Sequence, residues 1–196
     1  MLDVIEKVIL NVIVALYQPF WFSLLLAFLF MFFYLMLKDS NLKELLLKWC
    51  DSFKTDKRFK FVFLLAFYSG LALYRTIINR NIWGNPISDI WGPWGLHRLN
   101  GEFTTEAIEN VILFIPFTIL LLCAFKDKII GPKVTFFKVC FKSVKYIFIC
   151  SACIELVQIV CRLGLFQISD LFHNTLGGLI GGIIYYIGYK ISKKKK

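Results

Sequence analysis

Two adjoining stretches decide how this chain folds: Val144–Leu163, VKYIFICSACIELVQIVCRL, and His173–Tyr189, HNTLGGLIGGIIYYIGY. Each is close to the roughly 20 residues that a helix needs to cross a bilayer at about 1.5 Å per residue. Yet they carry Glu155, Gln158, Arg162 and Asn174, with Asp170 on the short turn between them. Polar groups are costly in hydrocarbon unless they are paired. Ionisable residues inside such apolar sequence therefore mark a candidate functional site, and partners for them are sought elsewhere in the chain.

The rest of the composition agrees with a membrane setting. The chain has 196 residues, of which 58% are apolar and 18% charged, with a mean hydropathy of +0.68. An average soluble domain is nearer one half apolar and about a quarter charged. Twenty-one Phe in so short a chain point to lipid-facing surface. The expectation is an all-α, single-domain polytopic bundle of about five transmembrane helices. Six cysteines fall in expected spans or lysine-rich loops, which argues against a disulfide framework. Cys150-x-x-Cys153 lacks a second ligand pair, so it reads as small buried hydrophobes and not as a metal site.

In chain order, the first expected span lies within Ile9–Leu37. Pro19 leaves two forms open: one kinked helix, or a surface helix over Leu2–Tyr17 followed by a span over Phe20–Leu37. Met1–Leu10 lacks the basic start of a signal peptide, so the run is kept as an anchor. Lys38–Lys60 reads as a surface-lying helix with an Asn41-to-Glu44 capping box and an apolar stripe of Leu42, Leu45, Leu46 and Trp49. Phe61–Asn79 is the second span. Arg80–Glu106, rich in Trp, Gly and Pro, is an irregular loop folded onto the membrane surface. Ala107–Phe125, Val144–Leu163 and His173–Tyr189 complete the five.

Charge asymmetry predicts the orientation. Eighteen of the 23 basic residues fall in Lys38–Lys60, Lys126–Lys145 and Lys190–Lys196. Five spans place those segments on one side, which puts the N-terminus outside and the C-terminus inside. A net charge of +10 is thereby read as topology, and nucleic acid is not an expected partner.

With that topology, Glu155 is expected near mid-bilayer, with Gln158 and Arg162 following on the same helix face at i+3 and i+7. Arg75, Asn110, Asp170 and Asn174 reach the same outer half from other spans. Arg75 or Arg162 is expected to neutralise Glu155 or Asp170, and the amides to satisfy the remaining lone pairs. The bland alternative is a polar staple that locks the bundle. Gly177-x-x-x-Gly181 and Gly178-x-x-x-Gly182 permit close helix approach on the last span.

Three pieces of this sequence resemble the VanZ-like family: Glu155-x-x-Gln158, Gly164–Asp170 continuing to Asn174-Thr175-Leu176-Gly177-Gly178, and Glu109–Phe117. The likeness is densest over Glu106–Gly182. The resemblance implies a bacterial plasma-membrane protein linked to teicoplanin resistance. Two acidic positions usual in the family appear here as Gln167 and Ser169, which weighs against a metal centre. No cofactor is expected. The leading expectation is an envelope protein without assigned catalytic residues, whose outer polar cluster engages membrane lipids, a lipid-linked cell-wall precursor or a glycopeptide. An intramembrane enzyme acting on a lipid head group and a small proton-coupled transporter are the rivals.

Overall fold

A computed structural model describes residues 2–36, 42–98 and 100–194. Its architecture is helical throughout: α1 (Leu2–Tyr17), α2 (Phe20–Met36), α3 (Leu42–Thr55), α4 (Lys57–Leu73, continued by a π turn over Tyr74–Ile78), α5 (Glu106–Ile129), α6 (Phe136–Cys161) and α7 (Ile168–Lys194). Pro19 separates α1 from α2, because a proline ring disrupts the hydrogen bonding of a continuous helix. The two helices meet at a bend of 47°. The first expected span is thus a broken pair.

Among the described residues, three helical stretches are long and apolar enough to cross a membrane: Lys57–Ile78, Glu106–Ile129 and Phe136–Cys161. Counted as one span, the bent pair makes four. The expected fifth, α7, has 27 residues, about 40 Å of helix at the usual rise. His173, Asn174 and its glycines dilute its apolarity, and it does not pass on composition. It lies in the grooves of α5 and α6, where Gly177, Gly178, Gly181 and Gly182 are all buried.

The reason is steric. A Cβ on Gly177 would stand 2.3 Å from the Val111 carbonyl oxygen, and one on Gly181 would stand 2.6 Å from that of Ile115. Gly178 and Gly182 face α6 in the same manner, against Ile147 and Ser143. Two glycine stripes therefore serve two different neighbours, and only hydrogen at Cα allows both contacts.

The second half of the core is aromatic. Trp49 of α3 lies within ring-contact distance of Phe28, Phe32, Phe53, Phe59 and Phe63. Leu45 is buried in the same cluster, while Leu46 is 53% exposed. The α3 stripe thus docks onto α2 and α4 through Leu45 and Trp49. The expected capping box lies outside the described residues, since neither Asn41 nor the Glu44 side chain is described. The cysteines differ from expectation too. Cys50, Cys153 and Cys161 are exposed on helix surfaces and the other three are partly so, because their helices turn those positions away from the packed face.

Candidate functional site

The buried stripe of α6 runs Val139, Ser143, Ile147, Ser151, Glu155, Gln158, at the four- and three-residue steps of one helix face. Facing it on α7 are Asp170, Asn174, Gly178 and Gly182, again one turn apart. Antiparallel packing then sets small against large at the apolar end and polar against polar at the other. Asn174 Nδ2 donates to Ser151 Oγ at 2.9 Å. Glu155 Oε2 accepts from the Gln167 backbone N–H at 3.2 Å. On the far side of α7, Asn110 of α5 donates to Asp170 Oδ1 at 2.8 Å.

Gln158 points to a different partner. Its Nε2 donates to the Thr76 carbonyl at 2.7 Å, which lies within the π turn that ends α4. The chain leaves the helix soon after, so the Thr76 oxygen has no helical partner to satisfy it.

Arg75 and Arg162 do not take the expected roles. Arg75 forms its ion pair with Glu109, and that carboxylate also accepts from Thr105 and from Asn11 of α1 at 2.6 Å. Arg162 lies just past the end of α6, where it adopts a left-handed conformation with φ 56° and is exposed. The Leu163 N–H closes the helix on the Gln158 carbonyl at 2.9 Å, the pattern of a Schellman cap. That reversal breaks the helical periodicity, so the i+7 step from Glu155 no longer points along the buried face. The cation close enough to act on both Glu155 and Asp170 is Arg80, at the start of the Trp-rich loop.

Glu155 is also nearer a helix end than expected. α6 begins at Phe136, because Lys138, Lys142 and Lys145 ride on the helix, and Glu155 falls six residues before its last residue. The polar residues thus share one end of the bundle. The lysines at the C-terminus of α5, the N-terminus of α6 and the C-terminus of α7 occupy the other.

The loop over residues 79–105 is pinned across this polar end. Asp89 accepts from Gly92 N at 3.2 Å and from Gln167 Nε2 at 3.0 Å. The backbone N–H groups of Phe166 and Ile168 donate to Pro86 and Ile90 carbonyls, each at 2.8 Å. Gly92 has φ +63°, and a Cβ there would fall 2.2 Å from Ser169 Oγ. Gly92→Ala is therefore expected to lift the loop from Gln167 and destabilise the fold by about 1–2 kcal/mol. Faster amide exchange at Phe166 and Ile168 would register this, and unchanged exchange would refute it.

Between the loop, the helix ends and α1 lies a cavity of about 710 Å³. Asp170 lines it from α7, Gln167 from the residue before α7 and Asn110 from α5, Arg75 and Arg80 from the end of α4 and the loop, and Asn11 from α1. Glu155, Gln158 and Asn174 are almost fully buried behind it, at 2%, 2% and 4% exposure. The Oε1 of Gln158 and the Oδ1 of Asn174 have no hydrogen-bond partner among the described residues. Among the described residues no group of three or more His, Cys, Asp or Glu is placed to hold a metal ion.

Residues 20–189 match the model of the VanZ/LLP1 family. The chain belongs to that family. The VanZ/LLP1 match takes in α2 to most of α7, well beyond the Glu106–Gly182 region, and begins just after α1. The protein VanZ of Enterococcus faecium is 34% identical over 91 residues, which cover 46% of this chain and 50% of that protein. The chain thus spans about half the length of that curated relative. No solved structure matches.

Sequence reasoning missed Asn11, Arg80, Thr105 and Glu109 as members of the site. Arg80 lies in the Trp/Gly/Pro-rich loop, and Glu109 stands among the acidic residues that ordinarily begin a helix. A legible hint was available for Glu109: it lies one residue before Asn110 at a helix start, where α5 enters the packed bundle.

Proposed function

We propose that this VanZ/LLP1 member is a multi-pass protein of the bacterial plasma membrane, with its N-terminus outside and its C-terminus in the cytoplasm. Its polar cavity then opens to the outer side and engages a component of the cell envelope, in a role that supports tolerance to glycopeptides such as teicoplanin. The observation that carries this reading is the segregation of the bundle's two ends. Lysines crowd one end, as positively charged loops do on the cytoplasmic side. The other end holds a large cavity with paired and unpaired ionic groups, walls of aromatic and amide side chains, and buried carboxylates behind it. Cavities of several hundred Å³ with a few convergent polar groups are the usual form of a ligand site.

A deletion strain complemented with point variants tests the proposal. Glu155→Gln and Asn174→Ala are expected to lower glycopeptide tolerance to that of the deletion strain while the amount of protein in the membrane stays unchanged. Wild-type tolerance in both variants would remove the site from the function. Loss of protein in step with loss of tolerance would favour a purely structural staple.

A further inference from the structure

Arg80 and Asp170 both line the cavity and lie within electrostatic reach of each other. They nevertheless form no ion pair or hydrogen bond with one another among the described residues, in contrast to Arg75 with Glu109 and Arg98 with Glu106. Arg80 has no other such partner there, and Asp170 spends only Oδ1, on Asn110. A guanidinium and a carboxylate thus face a common space without closing on each other. Opposite charges left apart across a cavity complement a guest that carries both signs. We propose that the cavity binds a zwitterionic head group, with its anion on Arg80 and its ammonium on Asp170 Oδ2.

The donor balance agrees. Among the described residues, the second Asp170 oxygen at the cavity accepts no hydrogen bond, nor do the second Glu155 oxygen and the buried Gln158 Oε1 and Asn174 Oδ1 behind it. A primary ammonium brings three N–H donors, whereas a quaternary one brings none. The anionic end has the guanidinium fork of Arg80, which matches the oxygens of a phosphate or carboxylate.

The wall next to α1 gives such a guest a route. α1 turns Lys7, Asn11 and Gln18 toward the cavity and exposes Ile5, Ile9, Ile13 and Leu16 on its other side. Among the described residues its side-chain hydrogen bonds to the body are those of Asn11 to Glu109 and Thr105 and of Lys7 to the Phe103 carbonyl. A lipid's head group can therefore reach the cavity beneath α1 while its tails remain in hydrocarbon. A soluble zwitterion shares the head-group chemistry and would enter from the water side.

This inference rests on the proposed ligand role of the cavity, and its test reads binding, not tolerance. The full chain, purified in detergent micelles, is offered phosphatidylethanolamine, phosphatidylcholine and phosphatidylglycerol with matched tails. Native mass spectrometry reads the lipid retained. Phosphatidylethanolamine is expected to be held about tenfold better than the other two, as one added charge-assisted contact gives. Asp170→Asn should level the three lipids, and Arg80→Gln should lower retention of all three together, while Arg80→Lys keeps both retention and preference and so separates a lost contact from a lost fold. Equal retention of the three by the unaltered chain, a preference untouched by Asp170→Asn, or full retention in Arg80→Gln overturns the proposal. Free phosphoethanolamine assigns the source: displacement of the lipid at equal concentration points to a soluble zwitterion, and failure to displace points to the lipid itself. If the lipids bind alike yet Glu155→Gln abolishes tolerance, the functional reading stands and the zwitterion falls.

Discussion

Replacement of Glu109 by alanine is expected to destabilise the folded chain by about 3 kcal/mol. The carboxylate is only 6% exposed and accepts from three elements at once: Arg75 at the end of α4, Thr105 before α5, and Asn11 on α1. Its removal leaves the Arg75 guanidinium, 23% exposed, in a partly dry setting without its counter-charge. Breaking one side of such a pair is far more damaging than replacing both sides, since the surviving charge keeps its desolvation cost. Arg75→Ala is expected to do less, because Glu109 would retain the Thr105 and Asn11 donors. The double change Arg75→Leu with Glu109→Leu should recover much of the loss, and this non-additivity distinguishes a charge effect from general damage. Denaturant unfolding of the purified chain in micelles measures all three. A Glu109→Ala loss below about 1 kcal/mol would show that the pair is solvent-screened and structurally dispensable.

Gly177→Ala is expected to destabilise by about 2–3 kcal/mol, as overpacking of a tight core does. The added methyl would meet the Val111 carbonyl oxygen at 2.3 Å and the Val111 backbone at 3.1 Å. A backbone atom inside a helix cannot swing aside, so α5 and α7 must separate. Gly181→Ala meets the Ile115 oxygen at 2.6 Å and should behave alike. The separation has a consequence for the site, because Val111 adjoins Asn110, the donor to Asp170. Loss of stability in Gly177→Ala should therefore be accompanied by loss of tolerance. Gly188→Ala is the control on the same helix: nothing lies within 4 Å of its Cβ position. It is expected to be neutral or stabilising by up to about 1 kcal/mol from helix propensity alone. Equal effects at Gly177 and Gly188 would refute the close-packing account.

The two variants show how far sequence reasoning reaches. The glycine spacing announced a close approach, but not that Gly177 and Gly181 would meet α5 while Gly178 and Gly182 met α6. Successive helical residues are turned by about 100°, so adjacent glycines serve different neighbours, and which neighbours depends on how the helices are arranged. Glu155, Gln158, Asp170, Asn174 and Asn110 were visible as polar residues out of place in apolar sequence. Apart from Asn110 with Asp170, their partners were not. Ser151, Thr76 and the Gln167 N–H carry no sequence signal of their own, since hydroxyls and backbone groups are ordinary in membrane helices.

What the sequence determined by itself follows from solvation and local geometry: helices throughout, a kink or break at Pro19, a polar face on α6, and lysines gathered in three segments. Hydrophobicity and helical periodicity are properties of neighbouring residues, so they can be read along the chain. Only the tertiary structure decided which charge met which. Arg75 went to Glu109, Arg162 turned out past the end of α6, and Arg80, from a loop without regular structure, came to stand before Asp170 and Glu155. Pairing over such separations depends on where each helix ends and how it is rotated. Those were set by the close contacts of four glycines, two against α5 carbonyls and two against α6 side chains, and by one left-handed residue at a helix end.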